Sequence, residues 1–151
     1  MQKKFNFRKL CSLCLCILLV AAIAMFTTAC TKSHEGPGVN TSTQDMGVYG
    51  EGEKSFDFFV TDKDGKVYFY GINTDKATVG EALLELGLID GEEGPYGLYV
   101  KTVRDVTLDY DTDGMYWAFY VGRGEPQLAP KGVDQTEIVN AEAYHFMATK
   151  G

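Results

Sequence analysis

Apolar residues are distributed along this chain in three unlike ways, and each predicts a different kind of segment. Leu10 to Phe26 is apolar apart from Ser12. Thr31 to about Lys54 has few apolar residues and many Gly, Ser, Thr and acidic ones. From Ser55 to Gly151 apolar and polar residues interleave at the short periods of secondary structure.

In that last stretch strand patterns dominate. Phe56-Asp57-Phe58-Phe59-Val60 and Lys66-Val67-Tyr68-Phe69-Tyr70 flank Asp62-Lys63-Asp64-Gly65. Two β-rich runs around Asp-Gly predict a hairpin, because Gly accepts the positive φ such turns need. Leu98 to Val103, Val106 to Tyr110, Met115 to Val121 and Glu142 to Thr149 read as further strands. One helix is well marked. Thr78-Val79-Gly80-Glu81 has the form of a capping box, in which the Thr hydroxyl and the Glu carboxylate each take a free backbone N–H. Val79, Ala82, Leu83 and Leu86 then fall on one helical face, and Gly87 suits the left-handed residue that ends a helix. The order β-β-α-β-β-β-β predicts an α+β, β-grasp-like sheet with one short helix packed on one face. A domain of just under 100 residues from Ser55 to Gly151 is large enough for a single core.

The apolar run near the start changes where that domain is expected to work. Lys3, Lys4, Arg8 and Lys9 precede it, and Thr27-Thr28-Ala29 place small residues before Cys30. Basic, apolar and small-residue regions in that order form a secretory signal over residues 1–29. A Cys straight after a small residue resembles the site read by lipoprotein signal peptidase, with Thr27 standing where Leu is usual. Cys30 is therefore the expected lipidation site, and the alternative is an uncleaved N-terminal membrane anchor. Either way the rest of the chain lies on the outer face of the cytoplasmic membrane, tethered by a flexible linker over residues 30–54. Cys11, Cys14 and Cys16 fall within the signal, so only Cys30 survives processing and the domain relies on its core alone.

Charge follows the same cut. The chain has 14 basic and 21 acidic residues. The signal holds four of the basic ones and none of the acidic, so the mature form carries 10 − 21 = −11. That surface is unsuited to nucleic acid or to anionic headgroups.

Candidate chemistry is sparse. There is no Cys nucleophile in the domain, no Ser in a strained elbow, no phosphate-cradling Gly loop and no zinc-ligand spacing, so an enzyme is not expected. Asp109, Asp111 and Asp113, followed by Gly114, begin like an EF-hand loop, whose alternate carboxylates converge on one hard cation. The bidentate Glu position is Tyr120 and a strand follows, which leaves a weak, partly hydrated Ca²⁺ site in a β-turn or a solvated acidic turn. Glu92 and Glu93 read as surface carboxylates, His34 as a solvated linker residue and His145 as a satisfied strand residue. In the aromatic run, Met115, Trp117, Phe119 and Val121 alternate with Tyr116, Ala118 and Tyr120. One face must pack on the helix. The other offers an aromatic platform to a planar ligand, with Tyr68 and Tyr70 as additions, or is ordinary half-exposed sheet.

Several phrases together resemble a known family. They are Thr78-Val79-Gly80-Glu81-Ala82-Leu83-Leu84, Gly87-Leu88-Ile89, Tyr96-Gly97-Leu98-Tyr99-Val100, Met115 to Val121, and Gly132-Val133-Asp134. In this order they resemble a domain of unknown function in exported bacterial proteins, itself similar to the C-terminal β-domain of transcobalamin and intrinsic factor. The resemblance implies a β-grasp-like fold and a cobalamin or other corrinoid ligand, held without the larger helical domain of the animal carriers. It carries Tyr116 and Trp117 over as ligand-stacking residues. Loops around Tyr96 and from Gly122 to Pro130 would form the rim, Tyr120 on the strand would be a further ligand-binding residue, and a membrane importer would receive the ligand. The other expectation is a non-catalytic structural or protein-interaction module of the cell envelope.

Overall fold

The structure, a computed structural model, describes residues 42–151. The signal segment, Cys30, His34 and the first part of the linker lie outside the described residues.

The expected hairpin is present. β2 (Lys54–Thr61) and β3 (Val67–Thr74) pair antiparallel from Lys54↔Thr74 to Thr61↔Val67. The Asp62 carboxylate organises the turn by accepting the backbone N–H groups of Asp64 and Lys66, both at 2.9 Å. Along β2 the burial alternates: Phe56, Phe58 and Val60 are buried, whereas Asp57, Phe59 and Thr61 are half-buried.

The stretch expected to be linker as far as Lys54 contains a strand. β1 (Thr43–Tyr49) runs parallel to β3 on its outer edge, although all seven of its residues are exposed. It is held by its backbone ladder rather than by burial, so no apolar pattern announces it. The turn into β2 crosses the end of β3 through Gly50 and Gly52, both at positive φ. A Cβ at Gly50 would lie 2.3 Å from the Asn73 carbonyl oxygen, so only glycine permits that crossing.

Helix α1 (Val79–Glu85) matches its predicted start. Thr78 Oγ1 accepts from Glu81 N and Glu81 Oε2 accepts from Thr78 N, both at 3.3 Å. Gly87 takes φ 64° just beyond the helix, as expected. The next segments differ from the sequence reading. Ile89–Gly94 forms strand β4, which pairs antiparallel with β5 (Gly97–Val103) across a bulge at Asp90–Gly91. β6 is only Val106–Thr107, because Tyr110–Asp113 turns into a short helix, α2. β7 (Met115–Val121) falls where predicted. β8 (Gln127–Leu128), a single 3-10 turn over Val133–Gln135 and β9 (Ala143–Lys150) complete the chain.

Among the described residues the result is a sheet-dominated α+β fold with two short helices. β1-β3-β2-β9-β7-β8 form one mixed six-stranded sheet, and β4-β5-β6 form a second, smaller one. The inner face of the large sheet shares one apolar cluster with α1, the small sheet and the 3-10 turn: Phe58, Tyr144 and Phe146 meet Leu83, Val103 and Val133. At one end of the outer face of the large sheet, Tyr110 of α2 meets Tyr116 of β7, with ring centroids 6.4 Å apart.

Candidate functional site

β4 and β5 end in the two-residue turn Pro95-Tyr96, closed by the pair Gly94↔Gly97. A shallow cavity of about 280 Å³ is lined by Gly94, Pro95, Tyr96, Gly97, Leu98 and Tyr99. Tyr96 is 92% exposed, which is unusual for so large an apolar ring. The tip beneath it is nevertheless anchored. Gln135 Nε2 in the 3-10 turn donates to the Tyr96 carbonyl at 3.4 Å. Gly97, at φ 106°, sits so close to Asp134 that a Cβ there would be 2.6 Å from Oδ2. Gly80 on α1 presses the same turn from the other side, 2.8 Å from the Asp134 Cα by the same measure. Three phrases that carry the family resemblance, around Gly80, Gly97 and Gly132-Val133-Asp134, thus converge in space. Close backbone approach is the physical reason for the glycines at 80 and 97.

The other proposed ligand residues do not join Tyr96. Trp117 is only 6% exposed and belongs to the core cluster. Its Nε1 donates to the Val106 carbonyl at 3.2 Å, which fixes the ring against the small sheet. Tyr116 and Tyr120 alternate with it and lie half-buried on the outer face. Tyr116 and Trp117 therefore cannot stack on one ligand. Tyr68 and Tyr70 do not add to the outer face as expected: the register places them on the inner one, opposite Val60 and Phe58. Tyr70 is buried, and Tyr68 lies under the Arg104 guanidinium, 3.6 Å from the ring centroid. The aromatic residue of β3 that faces outward is Phe69, alongside Val67, Gly71 and Asn73.

The carboxylates of Asp109 and Asp113 serve the backbone around α2, and Asp111 takes part through its backbone N–H. Asp109 Oδ1 accepts from the N–H groups of Asp111 at 2.9 Å and Thr112 at 3.2 Å, and Asp113 Oδ2 accepts from Asp109 N at 2.9 Å. A short capped helix, rather than a β-turn, occupies the segment, and Gly114 supplies the left-handed residue that ends it. Among the described residues no three His, Cys, Asp or Glu side chains are placed to hold a metal ion. Glu92 and Glu93 lie exposed on β4, with Glu92 Oε1 3.0 Å from Lys101 Nζ.

His145 is better embedded than a solitary strand histidine needs to be. Its ring stacks on Phe59 at 4.9 Å and 13°, and Nε2 lies 2.9 Å from the Gly122 carbonyl oxygen. Burial pushes its pKa below the usual histidine value, and the Gly122 carbonyl pulls the other way. A base whose folded-state pKa is depressed takes up protons more readily when unfolded, so its stabilising contribution is complete above about pH 6.5 and is lost as pH falls through the folded value. The denaturation midpoint should thus fall more steeply below pH 6.5 in the native protein than in His145→Phe. Parallel midpoint–pH curves for the two proteins would assign acid sensitivity to other groups.

No family model matches the chain, and no curated protein matches it. Solved structures do. The chain is similar to a candidate metal-binding protein from Ruminococcus gnavus, with a TM-score of 0.60 and 29% identity over 66% of this chain and 99% of that one. It is also similar to haptocorrin in complex with Cbi, with a TM-score of 0.50 and 21% identity over 64% of this chain and 25% of haptocorrin. The chain thus corresponds to about a quarter of haptocorrin and to nearly all of the bacterial protein. At the level of the fold, the haptocorrin likeness supports the transcobalamin resemblance seen in the sequence.

Proposed function

We propose that this chain is an exported, lipid-anchored module that binds a small molecule at the β4–β5 tip. The observation that carries this reading is Tyr96: a large ring held out in water beside a shallow cavity, on a turn pinned from below by Gln135 and Asp134. An anchored tip loses little freedom on binding, which leaves more of the contact energy for affinity. The transcobalamin-like sequence phrases and the likeness to haptocorrin with Cbi favour a corrinoid as ligand and a β-grasp description of the fold. Cys30 would carry the lipid, the domain would sit outside the cytoplasmic membrane, and an importer would take the ligand onward without chemistry on it. The metal suggested by the Ruminococcus gnavus neighbour finds no gathered ligand set among the described residues, so the ring-binding reading is preferred.

Calorimetric titration of the full chain in detergent with cobinamide and with cobalamin tests the reading. Saturable heat at micromolar ligand is expected, with Tyr96→Ala weakening it by at least about tenfold, or 1.4 kcal/mol. Absence of heat with both corrinoids removes the ligand class, and an unchanged Tyr96→Ala removes the site.

A further inference from the structure

The outer face of the six-stranded sheet carries one unbroken cross-strand row. Phe69 pairs with Phe59, Phe59 with His145, His145 with Tyr120, and Tyr120 with Leu128, from β3 across β2, β9 and β7 to β8. The Phe69 and Phe59 rings are 5.2 Å apart, and Phe59 and His145 are stacked. At the β1 edge the partner of Phe69 is Asp45, and Val48 stands beside the row, over Gly71 on β3. Val48 and Leu128, at 71% and 68%, are the most exposed large aliphatic residues among those described, and both stand on this face.

Its charge differs from that of the rest of the surface. Residues 42–151 hold 9 basic and 20 acidic side chains. The strand positions of this face include only two carboxylates. Asp45 lies at the β1 edge, and Asp57 is 2.7 Å from Arg123 Nη2. An acidic protein repels its own copies through most of its surface, and this face is where that repulsion is least. The segment from Thr31 to Thr41 has Val39 as its one aliphatic side chain and no Phe, Tyr or Trp.

We infer that two copies of the chain meet here, sheet against sheet about a two-fold axis. Five strand spacings give a width of about 24 Å, and the span from Ala143 to Thr149 a height of about 20 Å. That is roughly 500 Å² in projection per copy, or about 1,000 Å² for the pair, at the lower limit for a specific interface. Such an area gives a reversible dimer rather than an obligate one. The face excludes Tyr96, so this inference stands apart from the ligand reading.

Sedimentation equilibrium of the full chain in density-matched detergent is the test. A monomer–dimer equilibrium with a midpoint on the order of 10 µM is expected. Raising the salt should tighten it, since salt screens repulsion between acidic surfaces. Val48→Asp and Leu128→Asp, at positions too exposed to disturb folding, should each weaken it at least about tenfold. Tyr96→Asp should leave it unchanged. A chain that stays monomeric to about 200 µM, or a dimer indifferent to both face variants, overturns the inference.

Discussion

Trp117→Ala should lower the unfolding free energy by about 3–5 kcal/mol, a large share of the roughly 5–15 kcal/mol a domain has. The indole is 6% exposed and sits in the common core of the two sheets. Truncation removes the largest apolar side chain of β7 and leaves a cavity that the flanking strands cannot close without breaking their ladders. It also removes the donor to the Val106 carbonyl, but Val106 is only half-buried, so water can replace that bond. Cavity formation therefore dominates the loss. Trp117→Phe keeps most of the ring and should cost only about 1–2 kcal/mol. Since the chain has one Trp, both are followed by far-UV circular dichroism in urea rather than by fluorescence. At low urea, where Trp117→Ala remains folded, its corrinoid titration should match that of the native chain. A variant within 1 kcal/mol of native stability that has lost the ligand would return Trp117 to the binding site.

That experiment bears on what a sequence pattern can reveal. Alternation along Met115 to Val121 separates two sets of side chains. It does not say which set is covered, because both contain aromatics. The answer depends on the elements packed against β7, and those come from distant parts of the chain. The same holds for the hairpin: Asp62 to Gly65 announces the turn and the register of β2 with β3, yet the outward residue proves to be Phe69 rather than Tyr68 or Tyr70. The capping box at Thr78 was legible because it is entirely local. β1 was illegible because a strand held only by backbone bonds needs no apolar side chain. β4 was hidden for a related reason, since Asp90-Gly91-Glu92-Glu93-Gly94 reads as a loop until β5 supplies its ladder. The row through His145 depends on the parallel pairing of β2 with β9, a long-range contact that no local period encodes. Of the proposed ligand residues, Tyr96 was legible as loop and its exposure followed. The anchor beneath it was visible only as unexplained glycines.

Gly97→Ala should destabilise the protein by about 2–4 kcal/mol, and deleting the Asp134 side chain should recover part of that loss. Two costs combine at this position. A φ of 106° strains any residue with a Cβ, at about 1–3 kcal/mol. The new methyl would also lie 2.6 Å from Asp134 Oδ2 and 2.9 Å from Gln135 Nε2, which forces the turn and the tip apart. Asp134 Oδ1 is itself buried with no hydrogen-bond partner, so the carboxylate already costs desolvation energy. Asp134→Ala alone should accordingly be neutral or stabilising by about 1 kcal/mol. In the Asp134→Ala background Gly97→Ala should lose the Asp134 share of its steric cost and keep its torsional part and the contact with Gln135 Nε2, a coupling of about 1–2 kcal/mol in a double-mutant cycle read by urea denaturation. Ligand affinity should follow the same cycle, falling in Gly97→Ala as the tip is displaced and partly returning in the double variant. Additivity to within about 0.5 kcal/mol would mean that Gly97 serves only its torsion and that the tip carrying Tyr96 is not seated on the 3-10 turn.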